Sequence, residues 1–441
     1  MTSAPSRHTA RGPLSRMPTW ANRNFQLLVS ASFISGLGNS GATIAAAYAV
    51  IDDGGSATDV GVVAAARTLA MVVFLLIGGA VADRIPRQRV MVAANGLNAL
   101  SQGLFALTVL TGHPQLWQMA ALTAAGGTAQ AFFSPASQGL VMTTVDPAHA
   151  GKAFSVFRLA TNGANIGGAA LGGALIAAVG PGWVLAVDAV GFVVAGALRA
   201  LMSVEEAARA ETGGIVRDLR EGWREFVSRS WLWGIVVQFS IVNAMTTAGE
   251  AVYGPLVARD HLGGAGPWGL ALAAGGAGTV AGGLLMMRWR PRRILLTGTL
   301  GVFPLALPLV ALALALPLWA LVLTMLASGV AIEVFGVGWM LALHQEIPED
   351  KMSRVSAYDW LGSIAVMPLG LALAGPAAAA FGRTESLWGS AVLVVALTAA
   401  VLVLPDVRRL ERANTVPDSG GDDAGHGQAA PLQPAVPLSP Q

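Results

Sequence analysis

The stretch Gly78-Gly79-Ala80-Val81-Ala82-Asp83-Arg84-Ile85-Pro86-Arg87-Gln88-Arg89 ends one long apolar run and opens the next. About two hundred positions later the same design returns as Gly282-Gly283-Leu284-Leu285-Met286-Met287-Arg288-Trp289-Arg290-Pro291-Arg292-Arg293. Each run ahead of these stretches reaches the roughly 17 to 25 residues that a helix needs to cross a hydrocarbon core. Paired glycines followed by an arginine cluster read as a hinge at a membrane surface, and the repetition reads as a duplicated unit.

Composition agrees. The 441 residues are 54% hydrophobic and 12% charged, with a mean hydropathy of +0.60. Such a chain cannot present an ordinary soluble surface and must be solvated by lipid. Twelve apolar spans are predicted, at roughly 25–50, 59–82, 89–111, 115–141, 152–179, 182–203, 231–258, 267–287, 293–313, 317–343, 353–380 and 386–405. The first has no Ala-x-Ala cleavage pattern before the second, so it is expected to be retained as a helix. The absence of cysteine excludes disulfides, thiolate metal sites and thiol catalysis.

Arg84, Arg87, Arg89, Lys152, the Arg209 to Arg229 stretch, Arg288 to Arg293, Lys351 and Arg354 all fall in loops on one side. The opposite loops hold Arg259 and Arg383 but mostly Asp52, Asp53, Asp59, Asp260 and Glu385. The positive-inside rule makes the first side cytoplasmic and places both termini there, as expected for a multi-pass protein of the cytoplasmic membrane. The expected organisation is a basic tail (1–24), a six-helix half (25–203), a linker (204–230), a second six-helix half (231–405) and a disordered tail (406–441). In the linker, Ile215, Leu219, Trp223, Phe226 and Val227 recur at helical spacing, which predicts an amphipathic helix at the inner surface. From Asn414 onward Pro, Asp, Gly, Gln and Ser prevail without apolar period.

The two halves match beyond the hinge. Aligning Pro147–Phe157 with Pro348–Tyr358 pairs Pro147 with Pro348 and Ser155 with Ser356. Parallel six-helix repeats that rock about a central site are a known transporter plan.

The hinge Gly79-x-x-x-Asp83-Arg84-x-x-Arg87-x-Arg89 resembles the loop between the second and third helices of the major facilitator superfamily, with Pro86 where a second glycine is usual. That departure and Ala65-Ala66-Arg67-Thr68-Leu69 are similar to the branch of macrolide and siderophore exporters, which are drug:proton antiporters. Gly254-Pro255-Leu256-Val257, Ile332-Glu333-Val334-Phe335 and Ser353-Arg354-Val355-Ser356-Ala357-Tyr358-Asp359 extend the resemblance from Arg23 to Arg409. It implies an all-α integral membrane fold of twelve transmembrane helices in two pseudo-symmetric halves, with a cavity lined by spans 1, 2, 4, 5, 7, 8, 10 and 11. Gly168-Ala169-Ala170-Leu171-Gly172-Gly173 is similar to an exporter motif, with Ala169 in place of its proline; Gly168, Gly172 and Gly173 also permit close helix approach whatever the transport direction.

Six ionisable residues lie well inside the spans: Arg67, Arg158, Asp188, Glu250, Glu333 and Asp359. Each costs roughly 2.5 to 3.5 kcal/mol for an Arg or Asp at mid-helix on insertion scales, so each needs a partner or a wet cavity. Depth along the helix sorts them into two layers, each of one arginine and two carboxylates. Arg67 is expected to pair with Glu250 or Asp188 in the outer layer. Arg158 is expected to meet Asp359 in the inner layer when the cytoplasmic side closes. Asp188 reads best as a lock between helices, and Glu333 equally as a proton carrier or a lock. Asp83 is expected to latch the outward-facing state by accepting from arginine or helix amides, with the arginines anchored to lipid. Met287 stands in its place in the second hinge, so the latch is expected to be asymmetric.

No phosphate-binding Gly-x-x-x-x-Gly-Lys-Ser/Thr motif occurs, and the six histidines lack paired ligand spacing, so no metal or cofactor is expected. These features predict a non-enzymatic monomeric secondary transporter that exports a small amphiphilic compound in exchange for protons, with lipid as its surroundings and no nucleic-acid partner. A nutrient importer and a membrane enzyme acting on lipid are the alternatives; no His, Asp or Glu constellation at a loop mouth supports the enzyme.

Overall fold

The structure is a computed structural model that describes residues 21–82, 85–112, 114–203 and 215–412. In these residues every regular element is helical. The first six long helices are α1 (Arg23–Asp52), α2 (Ala57–Ala82), α3 (Arg87–Leu110), α4 (Leu116–Thr143), α5 (Ala150–Val179) and α6 (Pro181–Ala200). A short α7 (Ile215–Ser228) follows. Then come α8 (Ser230–Leu262), α9 (Ala265–Arg288), α10 (Ile294–Ala313) and α11 (Leu318–Glu346). The eleventh span is split into α12 (Glu349–Ile364) and α13 (Met367–Phe381), and α14 (Arg383–Val401) and a short α15 (Pro405–Arg409) complete the chain.

Eleven segments among the described residues are long and apolar enough to cross a membrane. The twelfth span is α4, less apolar because Gln118, Thr123, Thr128, Gln130, Ser134 and Ser137 lie along it. Its polar groups find partners inside the bundle: Thr123 Oγ1 donates to the Val63 carbonyl of α2 at 3.1 Å. Local chemistry explains the interruptions. Pro368 in the first turn of α13 has no N–H and its ring crowds the preceding turn, so the eleventh span breaks at Ala365–Val366. α8 stays continuous but widens into π turns at Gly249–Tyr253 and Ala258–Leu262.

The packing repeats. In the first six helices α2 lies on α4, α3 on α6, and α1 on α5; in the last six α9 lies on α11, α10 on α14, and α8 on α13. A single glycine joins the last two helices of each set, Gly180 with φ 87° and Gly382 with φ 97°. These left-handed conformations strain any L side chain, so glycine serves both tight reversals.

The halves touch at one end of the molecule. There α5 packs on α9 and α2 on α13. A Cβ on Gly375 would lie 2.2 Å from the Thr58 Cα, and one on Gly61 would lie 2.5 Å from the Leu371 carbonyl oxygen. The Tyr48 hydroxyl donates to the Pro255 carbonyl at 3.3 Å at the same end. Toward the opposite end, where α5 and α12 begin, no substantial packing joins the halves among the described residues.

At that parted end α7 is bound to the second half. Glu225 bridges to Lys351 at 2.8 Å and Glu221 to Arg354 at 2.7 Å. Arg229 joins Glu225 and donates to the Glu346 carbonyl at 2.8 Å. Trp223, Phe226 and Tyr358 form one aromatic cluster, with centroids 5.5 to 6.1 Å apart. The hydrogen bond from Lys351, then that from Arg229, holds the Glu225 carboxyl below its ordinary pKa.

Candidate functional site

The polar residues of the first half converge. Ser32, Ser35 and Asn39 share one face of α1 at helical spacing, and Gln130, Ser134 and Ser137 do the same on α4. With Asn98, Phe133, Phe157, Thr161, Asn165 and others they line a cavity of about 330 Å³. Behind it, α3 buries Asn95, Ser101 and Gln102.

The second half carries an aromatic ladder in which Trp231 and Phe335 are buried and Phe239 and Trp339 half-buried. Phe239 stacks on Phe335 at 4.6 Å, Phe335 on Trp339 at 6.1 Å, and Trp231 meets Trp339 edge-on at 5.5 Å. The Trp339 indole N–H donates to the Asp359 carboxylate at 3.0 Å. This bond ties the eleventh span to the tenth and aims a carboxylate beside the aromatic ladder.

Of the charges singled out in the sequence, Arg67 departs from expectation. Its guanidinium donates to Asn39 Oδ1 at 2.7 Å and makes no ion pair with Glu250 or Asp188, although Asp188 lies within electrostatic reach. Helix packing explains this: α1 stands between, and Gly38 seats the Asp188 carboxylate so closely that a Cβ there would lie 2.4 Å from Oδ1. Asp188 is wholly buried, consistent with a contact between α1 and α6. Glu250 sits on the first π turn of α8 and is exposed. Short π segments inside helices are frequent at functional sites. Glu333 packs on Gly282 and Gly283 of the second hinge. Arg158 is exposed at the parted end, 6.0 Å from the Phe154 ring, and is not joined to Asp359 in this conformation.

In the first hinge, Gly78 lets α2 approach α4, where a Cβ would lie 2.4 Å from the Ala131 carbonyl oxygen. Gly79 lies in the last turns of α2, and Arg87 and Arg89 in the first turn of α3. Asp83 and Arg84, and therefore the expected latch, lie outside the described residues. Between the arginines, Gln88 Nε2 donates to the carbonyls of Arg199 (2.8 Å) and Met202 (2.7 Å), tying the hinge to the end of α6. The Gly168 motif faces two ways. Gly168 and Gly172 pack on Leu37 and Gly41 of α1, while Gly173 packs on Gly269 of α9 in the other half.

One charge was missed by counting depth. Arg199 lies four residues from the predicted end of its span and so reads as interfacial, yet it is 0% exposed. Its Nη2 donates to Ser32 Oγ at 3.0 Å, and its guanidinium lies 4.8 Å from the Phe133 ring centroid.

The sequence pattern of the Major Facilitator Superfamily matches residues 28–363. The chain belongs to the major facilitator superfamily. Members of this family are transporters rather than enzymes, which sets the membrane-enzyme alternative aside. A relative described as multidrug efflux pump Tap, from Mycolicibacterium fortuitum, is 27% identical over 424 residues, covering 92% of this chain and 99% of its own. That agrees with the drug-exporter branch of the superfamily. The solved nucleoside transporter NupG superposes with a TM-score of 0.67 at 13% identity, covering 87% of this chain and 98% of its own. A bacterial homologue of the human lysosomal transporter Spinster, in an inward-facing and unoccupied conformation, also gives 0.67 at 14% identity, over 88% and 98% of the two chains. These solved structures support the superfamily fold.

Proposed function

We propose that this major facilitator transporter exports a small amphiphilic compound by alternating access, in exchange for protons. The observation that carries the reading is the asymmetric contact between the halves: tight glycine packing at the Asp52 and Phe381 end, and separation at the end where Arg158 is exposed. The arginine-rich end is the cytoplasmic one by the positive-inside rule, so the molecule faces inward, ready to load from the cytoplasm. Both termini lie on that side, and the protein works as a monomer in the cytoplasmic membrane. A cavity lined by amides and hydroxyls together with Phe133, Phe157 and Phe192 suits a ligand with one wet and one apolar face.

Glu250 and Asp359 are the acidic groups placed to exchange a proton against substrate: both lie on spanning helices, Glu250 exposed and Asp359 half-buried beside Trp339. Glu333, seated on the second hinge, is the next candidate. Arg158 and Asp359 meet when the cytoplasmic side closes, and Asp83 with Arg84, Arg87 and Arg89 latches the other state. The relative named as a multidrug efflux pump favours export over uptake.

The test is accumulation of dyes and antibiotics in an efflux-deficient bacterial host, with and without a protonophore. Lower accumulation in cells making the wild type, restored to control by the protonophore and by Asp83→Asn, is the expected result. Uptake that rises with expression and drives growth on a nutrient would instead establish the importer.

A further inference from the structure

The unexplained charge in the first half is Arg199. It is 0% exposed, and its Nε and Nη1 have no hydrogen-bond partner. No carboxylate acts on it among the described residues. Asp188, on the same helix, does not bond to it: both of its carboxylate oxygens are buried without a hydrogen-bond partner among the described residues. A buried guanidinium without an acid is costly, because hydroxyl acceptors and a ring face offset only part of the hydration it loses. A position that retains one asks what completes it.

Its neighbours point in one direction. Ser32 and Ser35 accept from Nη2 at 3.0 and 3.5 Å, Phe133 covers the guanidinium face, and all three line the 330 Å³ cavity. Arg199 therefore stands one side chain behind the cavity wall. Asn39, which holds Arg67, lines the same cavity, and none of the lining residues is an Asp or Glu. The remaining lining groups include the amides Asn98, Gln130 and Asn165 and the hydroxyls Ser134 and Thr161. Ser35 gives its one hydroxyl proton to the Ala31 carbonyl at 2.9 Å, whereas Ser32 accepts from Arg199 and gives its own proton to no group among the described residues, so Ser32 is the donor, backed by positive charge, that this wall can present.

We infer that this cavity is an oxyanion subsite, in which the Ser32 hydroxyl, backed by Arg199 and flanked by the side-chain amides of the lining, receives a carboxylate or similar anionic group of the transported compound. The inference rests on the transport reading and narrows its substrate to amphiphiles that carry such a group. The apolar remainder of the ligand then lies against Phe133, Phe157 and Phe192 of the same cavity. Arg199 acts through Ser32 as a positioning residue.

The test is fluorescence titration of the purified full chain in lipid nanodiscs with two probes that share one ring system, dansylglycine (a carboxylate) and dansylamide (neutral). The wild type is expected to bind dansylglycine about tenfold or more tightly than dansylamide, the scale of one charge-assisted hydrogen bond. Arg199→Gln should abolish that preference, weakening dansylglycine far more than dansylamide; Ser32→Ala, which removes the donating hydroxyl, should reduce it several-fold. Equal binding of both probes by the wild type would overturn the subsite, and so would equal weakening of both by Arg199→Gln, which would mark a purely structural arginine. Should Arg199→Gln not fold, the serine variant and the wild-type preference still decide. Because binding is read without a gradient, a failure of export in cells leaves this result independent.

Discussion

Gly173 of α5 and Gly269 of α9 face each other across the two halves so closely that a Cβ on either would lie 2.9 Å from the other's Cα. The same two helices meet again where a Cβ on Gly269 would approach the Ala169 carbonyl oxygen to 2.4 Å. Backbones that touch without side chains between them make a contact that can part and re-form without repacking long side chains, as a rocking joint requires.

Gly269→Val should wedge this joint. Overpacking costs about 1–3 kcal/mol, so the inward-facing state should lose thermal stability and transport should fall. Gly163→Ala, on α5 with nothing within 4 Å of its Cβ, is the matched control and should change neither. Thermal unfolding in detergent, followed by intrinsic fluorescence, measures both.

Arg158 and Asp359 are separate here and are proposed to meet in the opposite state. Arg158→Asp alone and Asp359→Arg alone should each abolish export, and the two together should recover part of it. Recovery stays partial because the exchange also removes the Trp339 hydrogen bond to Asp359. A double exchange no better than the single variants would remove direct pairing from the account.

The docking of α7 should depend on pH with a defined sign. Lys351 and Arg229 hold the Glu225 carboxyl below its ordinary pKa. Their contribution is therefore complete above the ordinary glutamate value of about 4.3 and disappears as the pH falls through the lower, docked value. Partly exposed ion pairs contribute about 0.2–1 kcal/mol each, so the expected effect is local loosening and not unfolding. Hydrogen exchange of residues 220–228 should be faster in Glu225→Gln than in wild type at neutral pH, with the difference shrinking in acid.

Gln88→Ala should free the hinge from α6. It removes both bonds to the Arg199 and Met202 carbonyls, at about 0.5–1.5 kcal/mol for each net hydrogen bond. The expected outcome is a lower unfolding temperature, with Gln88→Glu failing to rescue because a carboxylate cannot donate to carbonyls.

The helical spans and their duplication were legible because lipid forces every spanning segment to satisfy its backbone internally, which leaves a long apolar run in the chain. α4 was found by its length between turns despite its glutamines and serines. The interior charges were legible as residues but not as contacts, because pairing depends on how helices rotate about their axes. Thus Arg67 turned to Asn39 and not to a carboxylate. Arg199 was missed because depth along a helix says nothing of which face is covered; α1 and Phe133 bury a position that linear counting puts near the surface. A signal was present in the Ser32 and Ser35 pair on α1, two hydroxyls on one face of an apolar helix.

The central claim is that the halves rock about the cavity, opening one end as the other closes. The chain has no cysteine, so spin labels can be placed on Ser155→Cys with Ser356→Cys at the parted end, and on Asp53→Cys with Thr384→Cys at the packed end. Distances between labels are then measured in nanodiscs across pH and with a transported compound. The account predicts that conditions which turn the carrier over shorten the first distance while lengthening the second. Two distances that stay fixed, or that change in the same direction, would contradict it.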